Sequence, residues 1–151
     1  MKRILLIGLA SILVITALSC AIINSWRNNY QSQMVEEINS GISFDDVNVE
    51  LITDDRGGIT GDGTTVYKLT MKEGFDTNKI DLENWKNLPV DETVIYQYGI
   101  DEDPAGRYIR KPQNGKWRMV GKNKDFDMYG NIIIYVYDEK GRCFYIYKWD
   151  S

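Results

Sequence analysis

Behind a Lys2-Arg3 head the chain carries twenty uncharged residues, Ile4 to Ile23, and then changes period. Trp26, Tyr30, Met34 and Ile38 recur every four residues through WRNNYQSQMVEEI, the spacing of one helix face, and Gly41 stands where a helix C-terminus is expected. Residues 21–41 therefore read as a juxtamembrane helix or stalk. Beyond it the period drops to two. Val47, Val49 and Leu51 alternate with polar residues in VNVELIT, as do Tyr67, Leu69 and Met71 in TVYKLTM, which predicts two strands joined across the Gly- and Asp-dense loop DDRGGITGDG. Leu82, Trp85 and Leu88, three residues apart in IDLENWKNLP, predict a short amphipathic helix that Pro89 stops. VIYQYG follows, then a polar loop (IDEDPAGRYIRKPQNG), a short KWRMVG strand, a second polar loop (KNKDFDMYG), and the strongest pattern of the chain, NIIIYVYDEKGRCFYIYKWD. The sum is an α+β domain over 42–151, a single antiparallel sheet of about six strands with one short helix packed on it.

The last segment carries enough turn chemistry to set a register. Asp138-Glu139-Lys140-Gly141 suits a type I turn closed by a glycine bulge, with Gly141 at positive φ. With Asp138 facing Arg142, Val136 pairs with Phe144, Ile134 with Ile146 and Ile132 with Lys148 on one face. On the other, Tyr137 pairs with Cys143, Tyr135 with Tyr145 and Ile133 with Tyr147, and Trp149 follows. The aliphatic face is assigned to the core beneath the Leu82/Trp85/Leu88 helix. The aromatic face, formed by Tyr135, Tyr137, Tyr145, Tyr147 and Trp149, becomes the candidate binding surface, because tyrosine rings with wet hydroxyls suit glycans and protein partners. Tyr and Trp are also ordinary strand residues whose rings cover a half-exposed sheet. The next-best contacts are Arg107, Tyr108 and Arg110 in the first polar loop.

A basic start before an apolar run fits either a cleaved export signal or a retained anchor. Ala17-Leu18-Ser19-Cys20 reads as a lipobox, with small residues at 17 and 19 and the Cys20 thiol as the lipidation site, which makes 1–20 a lipoprotein signal. Lipoboxes prefer Leu at the place of Ala17 and a small residue at the place of Leu18, so the order here is inverted. Alternatively Ile4–Ile23 is a membrane anchor, since twenty helical residues at about 1.5 Å each span the roughly 30 Å hydrocarbon layer. Both readings leave Lys2 and Arg3 in the cytoplasm and place the domain on the extracytoplasmic face of the cell membrane.

Charge and composition narrow the chemistry. Removing Lys2 and Arg3 leaves 16 basic side chains against 22 acidic ones, a net charge of −6, which disfavours nucleic acid as a partner. The absence of histidine excludes Ser-His-Asp and Cys-His nucleophiles and His-containing zinc sites. With Cys20 lipidated or in the membrane, Cys143 is the only thiol of the domain, so no internal disulfide is expected. Arg142 beside it favours a thiolate, but RCFYIYKW is a strand in which a small buried residue suffices. Asp125 to Gly130 begins like a calcium loop, yet Tyr129, Ile133 and Val136 occupy its fifth, ninth and twelfth places. Asp54, Asp55 and Asp62 suit tight turns as well as a cation, and GDGTT lacks a phosphate-loop lysine, so neither metal nor cofactor is predicted.

GDGTT (61–65), WKNLP (85–89), YG (98–99), NG (114–115) and the tyrosine-rich hairpin together resemble a group of small predicted lipoproteins of Gram-positive bacteria. The resemblance covers most of the exported domain and implies a location and a single-domain layout, with no activity attached. Where the group has a longer acidic and aromatic stretch before the last hairpin, this chain has KNKDFDMYG. The function expected is a membrane-tethered extracytoplasmic module that binds an envelope protein or a neutral glycan and is not an enzyme. A carboxylate-dependent envelope enzyme such as a glycan hydrolase is the first alternative. A structural subunit of a membrane assembly, acting through Ile4–Ile38, is the second.

Overall fold

The computed structural model describes residues 2–57, 62–121 and 131–150, with side chains from residue 14 onward in the first helix. Helix α1 (Lys2–Ile38) leads into the strands β1 (Val47–Asp54) and β2 (Gly63–Met71). After these come the two-residue β3 (Lys86–Asn87), the helices α2 (Glu92–Gln97) and α3 (Arg107–Arg110), and the strands β4 (Gly115–Gly121), β5 (Ile132–Asp138) and β6 (Cys143–Asp150). Single 3-10 turns lie at Phe44–Asp46, Thr77–Lys79 and Pro104–Gly106. The six strands form one antiparallel sheet in the order β1-β2-β6-β5-β4-β3, so the class is α+β as expected.

The helix expected over 82–88 is replaced by a strand, and VIYQYG, to which the pattern assigns no element, forms a helix. Its helix follows Asp91, has Glu92 in the first turn, and ends where Gly99 takes φ +61. The Gly99 amide bonds the Tyr96 carbonyl at 3.3 Å and the Ile100 amide bonds the Ile95 carbonyl at 2.9 Å, a Schellman end in which Ile95 and Ile100 also share a core. Conversely, the helix expected through Leu82, Trp85 and Leu88 is replaced by extended chain pairing Lys86 with Trp117 and Asn87 with Lys116. In a strand an odd separation puts two residues on opposite faces. Accordingly Trp85 and Leu88, flanking this pair, pack into different cores; Leu82 lies before the turn at 83–84, outside the extended stretch, and packs in the core of Trp85.

The terminal hairpin is shifted by one residue from the expected register. Asp138 pairs with Cys143, Tyr137 with Phe144, Val136 with Tyr145, Tyr135 with Ile146, Ile134 with Tyr147, Ile133 with Lys148 and Ile132 with Trp149. The loop is therefore Glu139–Arg142, closed by Arg142 N–H to the Glu139 carbonyl at 3.3 Å, and positive φ falls on Arg142 (48°) instead of Gly141. Asp138 stabilises this loop by accepting the Gly141 amide at 3.1 Å, and the Arg142 guanidinium donates to the Phe75 carbonyl at 2.7 Å. A one-residue slip exchanges the faces of one strand relative to the other. The aliphatic side of β5 thus joins the aromatic side of β6, and the purely aromatic face does not form.

Both faces of the sheet are covered. On one, Met34, Val35 and Ile38 from α1, with Trp85, pack over Leu69, Ile133, Tyr135, Tyr137, Phe144 and Ile146. On the other, Val90, Ile95, Ile100 and Ile109 from the α2–α3 region cover Val66, Trp117, Ile134, Val136 and Tyr147. The folded unit therefore reaches back into the segment expected as a stalk. Two sheet cations fasten α1. Arg118 donates to the Glu37 and Ile38 carbonyls at 2.6 and 2.7 Å, capping the negative end of the helix, and lies 5.0 Å from the Trp85 and Tyr135 ring centres. Lys148, buried, reaches the Tyr30 hydroxyl at 3.3 Å and Glu37 at 4.0 Å.

Burial also fixes an alkaline limit. Desolvation raises the Tyr135 phenol from 10.0 to about 12, and burial followed by the neighbouring Tyr30 does the same to Tyr67. The unfolded chain ionises these phenols near 10 and the folded one near 12, so their contribution is complete below 10 and is lost as pH rises between the two values. Tyrosinate absorbance should rise in two stages, the second coinciding with loss of circular dichroism. A single titration near 10 with the fold intact would contradict the burial.

Candidate clefts at one end of the sheet

Register places residues 47, 71, 143, 138 and 115 at one end of the sheet, and residues 54, 63, 150, 132 and 121 at the other. Helix α1 comes onto the sheet near the second end, at Lys148 of β6, and finishes over the middle of β4 at Arg118. Among the described residues three clefts open at the first end, away from the approach of α1, and a smaller hollow of about 490 Å³ lies on α1 beside Trp26 and Tyr30. The largest, about 750 Å³, lies under the turn at 77–83 and includes Asp81, Glu83, Asn87, Lys116 and Glu139. A cleft of about 690 Å³ separates α3 from the β5–β6 turn. Its neighbour beside Gly41 and Lys72 measures about 590 Å³.

The α3 cleft is the one with a composed lining. Pro104, at the start of a 3-10 turn that Asp103 caps, sets the chain so that Arg107 and Tyr108 project from the following turn of helix. Arg107 lies 4.8 Å from the Tyr108 ring centre and donates to its hydroxyl at 2.8 Å. Tyr108 in turn stacks on Tyr145 of β6, ring centres 6.1 Å apart and planes inclined by 28°. Burial pushes the Tyr145 phenol well above its ordinary range, which keeps its hydroxyl neutral. Lys111, Lys140 and Asp138 complete the charged wall, and Gln113 and Asn114 supply amides. Next to Asn114, Gly115 belongs to the cleft under the 77–83 turn; it takes φ +131, and a Cβ there would sit 2.0 Å from the Tyr137 carbonyl, so only glycine lets β4 start this close to β5.

The chain matches no family model, no curated protein and no solved structure. What the clefts bind has to be argued from their own chemistry.

The five aromatic residues expected on one surface are divided between the two faces. Tyr135 and Tyr137 are buried under α1 and Trp85; Tyr147 is buried under the α2–α3 layer; Trp149 packs edge-on against Tyr98, ring centres 6.2 Å apart. Of the five, Tyr137 borders the cleft under the 77–83 turn, and Tyr145 lines the α3 cleft, where it meets Arg107 and Tyr108 from the second expected group. Arg110 does not line that cleft; its carbonyl accepts from Gln113 at 3.2 Å. Tyr147 serves the fold. Its hydroxyl and that of Thr64 donate to one oxygen of Asp103 at 2.6 and 2.7 Å, while the other oxygen takes the Ala105 amide at 2.7 Å. A carboxylate holding three donors is a structural brace for the 101–106 loop and has little capacity left as a base.

The acidic loop residues are engaged in turns. Asp54 grips Arg56 at 2.8 and 2.7 Å and accepts from Thr65 at 3.2 Å; the Arg56 contact, opposed by partial burial, holds its carboxyl at about 2. Asp55 accepts the Thr64 amide. Among the described residues no group of three or more acidic or thiol side chains is placed to hold a metal ion. Asp125 to Gly130, the start of the calcium-loop pattern, lies outside the described residues. The Cys143 thiol is buried and pushed up by desolvation, and Arg142 beside it is directed to Phe75.

Proposed function

We propose that this protein is a membrane-tethered, extracytoplasmic module that binds a polar component of the cell wall. The tether is α1. It is one continuous helix whose side chains at Val14, Ile15, Leu18, Ile22, Ile23 and Trp26 are exposed and mostly apolar, a surface that water disfavours and lipid accepts. Among the described residues no helix is long and apolar enough to cross a membrane, and the first half of the Ile4–Ile23 span lies where side chains are outside the description. Cleaved lipoprotein and retained anchor give the same placement: Met34 is fourteen residues beyond Cys20, roughly 21 Å along a helix, so the domain sits close to the headgroups. The likeness to small predicted lipoproteins of Gram-positive bacteria agrees with this.

The observation that carries the reading is directional. Among the described residues the helix arrives at one end of the sheet, where a hollow of about 490 Å³ lies against α1 itself beside Trp26 and Tyr30, and the three larger clefts open at the other end. A domain standing on the membrane by α1 presents them outward, to the wall. Large exposed apolar side chains beyond α1 are, among the described residues, Leu51, Tyr96 and Val120 on three different elements, a distribution that favours a small polar ligand over a broad protein interface. The test of the tether is the intact mass of protein extracted from membranes, combined with protease treatment of intact cells. Loss of residues 1–19 with a diacylglycerol on Cys20, and digestion from outside, are expected. A chain retained in the cytoplasm and protected from protease would overturn the proposal.

A further inference from the structure

We propose that the cleft between α3 and the β5–β6 turn binds a saccharide bearing an anionic group, the anion between Arg107, Lys111 and Lys140 and the sugar ring on the Tyr108–Tyr145 pair. This deepens the reading of the protein as a cell-wall binder and rests on it. The sign of the charge is the first argument. The whole chain carries a net −4, yet this cleft gathers three cations against the single carboxylate of Asp138. A local reversal in an acidic surface concentrates anions there. Among the described residues neither Lys111 nor Lys140 has an ion-pair partner, so both charges are available to a ligand. Arg107 is pre-oriented by the Tyr108 ring and hydroxyl, and its remaining N–H groups are free to form a fork with a carboxylate or phosphate.

The second argument is the platform. Tyr108 and Tyr145 are half-buried and stacked, which fixes their rings at little entropic cost; Arg107 lies over Tyr108, so the apolar area offered to the C–H groups of a sugar is the part of the pair left uncovered beside that guanidinium. Gln113, Asn114 and Asp138 around them are hydroxyl partners, and the volume of about 690 Å³ lies in the range of small-ligand sites.

Saturation-transfer NMR on the full-length protein in detergent micelles tests this with four probes: glucuronate, glucose 6-phosphate and glucose, read directly from their C–H protons, and inorganic phosphate, which has none and is read as a competitor that displaces glucose 6-phosphate. Transfer to at least one charged sugar is expected, at an affinity about tenfold above glucose or more, falling by about tenfold in Lys111→Gln/Lys140→Gln and in about 0.5 M salt. Both lysines are exposed, so the double variant keeps its fold, which circular dichroism checks. Tyr108→Leu should remove transfer from the sugar ring protons. Which charged sugar responds distinguishes a carboxylate from a phosphate. Equal binding of glucose, an unaffected double variant, or phosphate bound as tightly as the sugar phosphate would each overturn the proposal. A protein that ignores all four probes but still sediments with purified cell wall loses this inference and keeps the wider reading; one that does neither loses both.

Discussion

A fragment beginning at residue 42 is expected not to fold, whereas one beginning at residue 24 should unfold cooperatively in urea. Met34, Val35 and Ile38 are each 1% exposed or less and belong to the core under the sheet. Burying side chains of this size is worth about 1.5–3 kcal/mol each, and three of them approach the roughly 5–15 kcal/mol that holds a typical domain together. Removal of α1 also uncovers Tyr135 and Ile146 and leaves Arg118 without its helix end. In the longer fragment, Ile38→Ala alone should cost about 2–5 kcal/mol. A fragment from residue 42 with the urea midpoint of the longer one would mean that α1 is a separable stalk.

The second large effect is the equality of two substitutions that the sequence pattern places on different faces. Phe144→Ala and Tyr147→Ala should each cost about 3–5 kcal/mol, because both rings are fully buried, one against Trp85 and Tyr137 and the other in the opposite core. Tyr147→Phe keeps the ring and still should lose about 1–3 kcal/mol, since Asp103 is left short of a donor in a confined place. Denaturant unfolding of the longer fragment measures all three. A loss below about 1 kcal/mol for Tyr147→Ala would restore an open aromatic face and the unshifted register.

Five of the six strands were legible because their alternation is strong and their ends are marked by Gly, Asp and Asn. The expected helix over 82–88 and the expected hairpin register fail for one physical reason, a sheet buried on both faces. Alternation records which residues share a face, but it fixes pairing only when one face is wet. Once Ile134 and Tyr135 are both interior, hydrophobicity no longer distinguishes the observed register from its neighbour, and the decision passes to the Asp138–Gly141 and Arg142–Phe75 bonds. The same two-sidedness made Trp85 and Leu88 look like one helix face. For VIYQYG the helix signals were present in Asp91, Glu92 and Gly99, but six residues are too few for periodicity to outvote β-branched and aromatic composition. The α3 cleft was half legible: Arg107 and Tyr108 stood out as contacts and Lys111 follows them on the same turn of helix, while Lys140 and Tyr145 are brought to them only by the hairpin that the register sets.

Co-sedimentation of the detergent-solubilised full-length protein with purified cell wall tests the central claim most directly. The account predicts that the wild-type protein pellets with the wall, that Lys111→Gln/Lys140→Gln stays largely in the supernatant, and that a buried-core control such as Ile134→Val, kept folded, still pellets. Wild-type protein that remains in the supernatant at every wall concentration would contradict the claim that this domain is a wall-binding module.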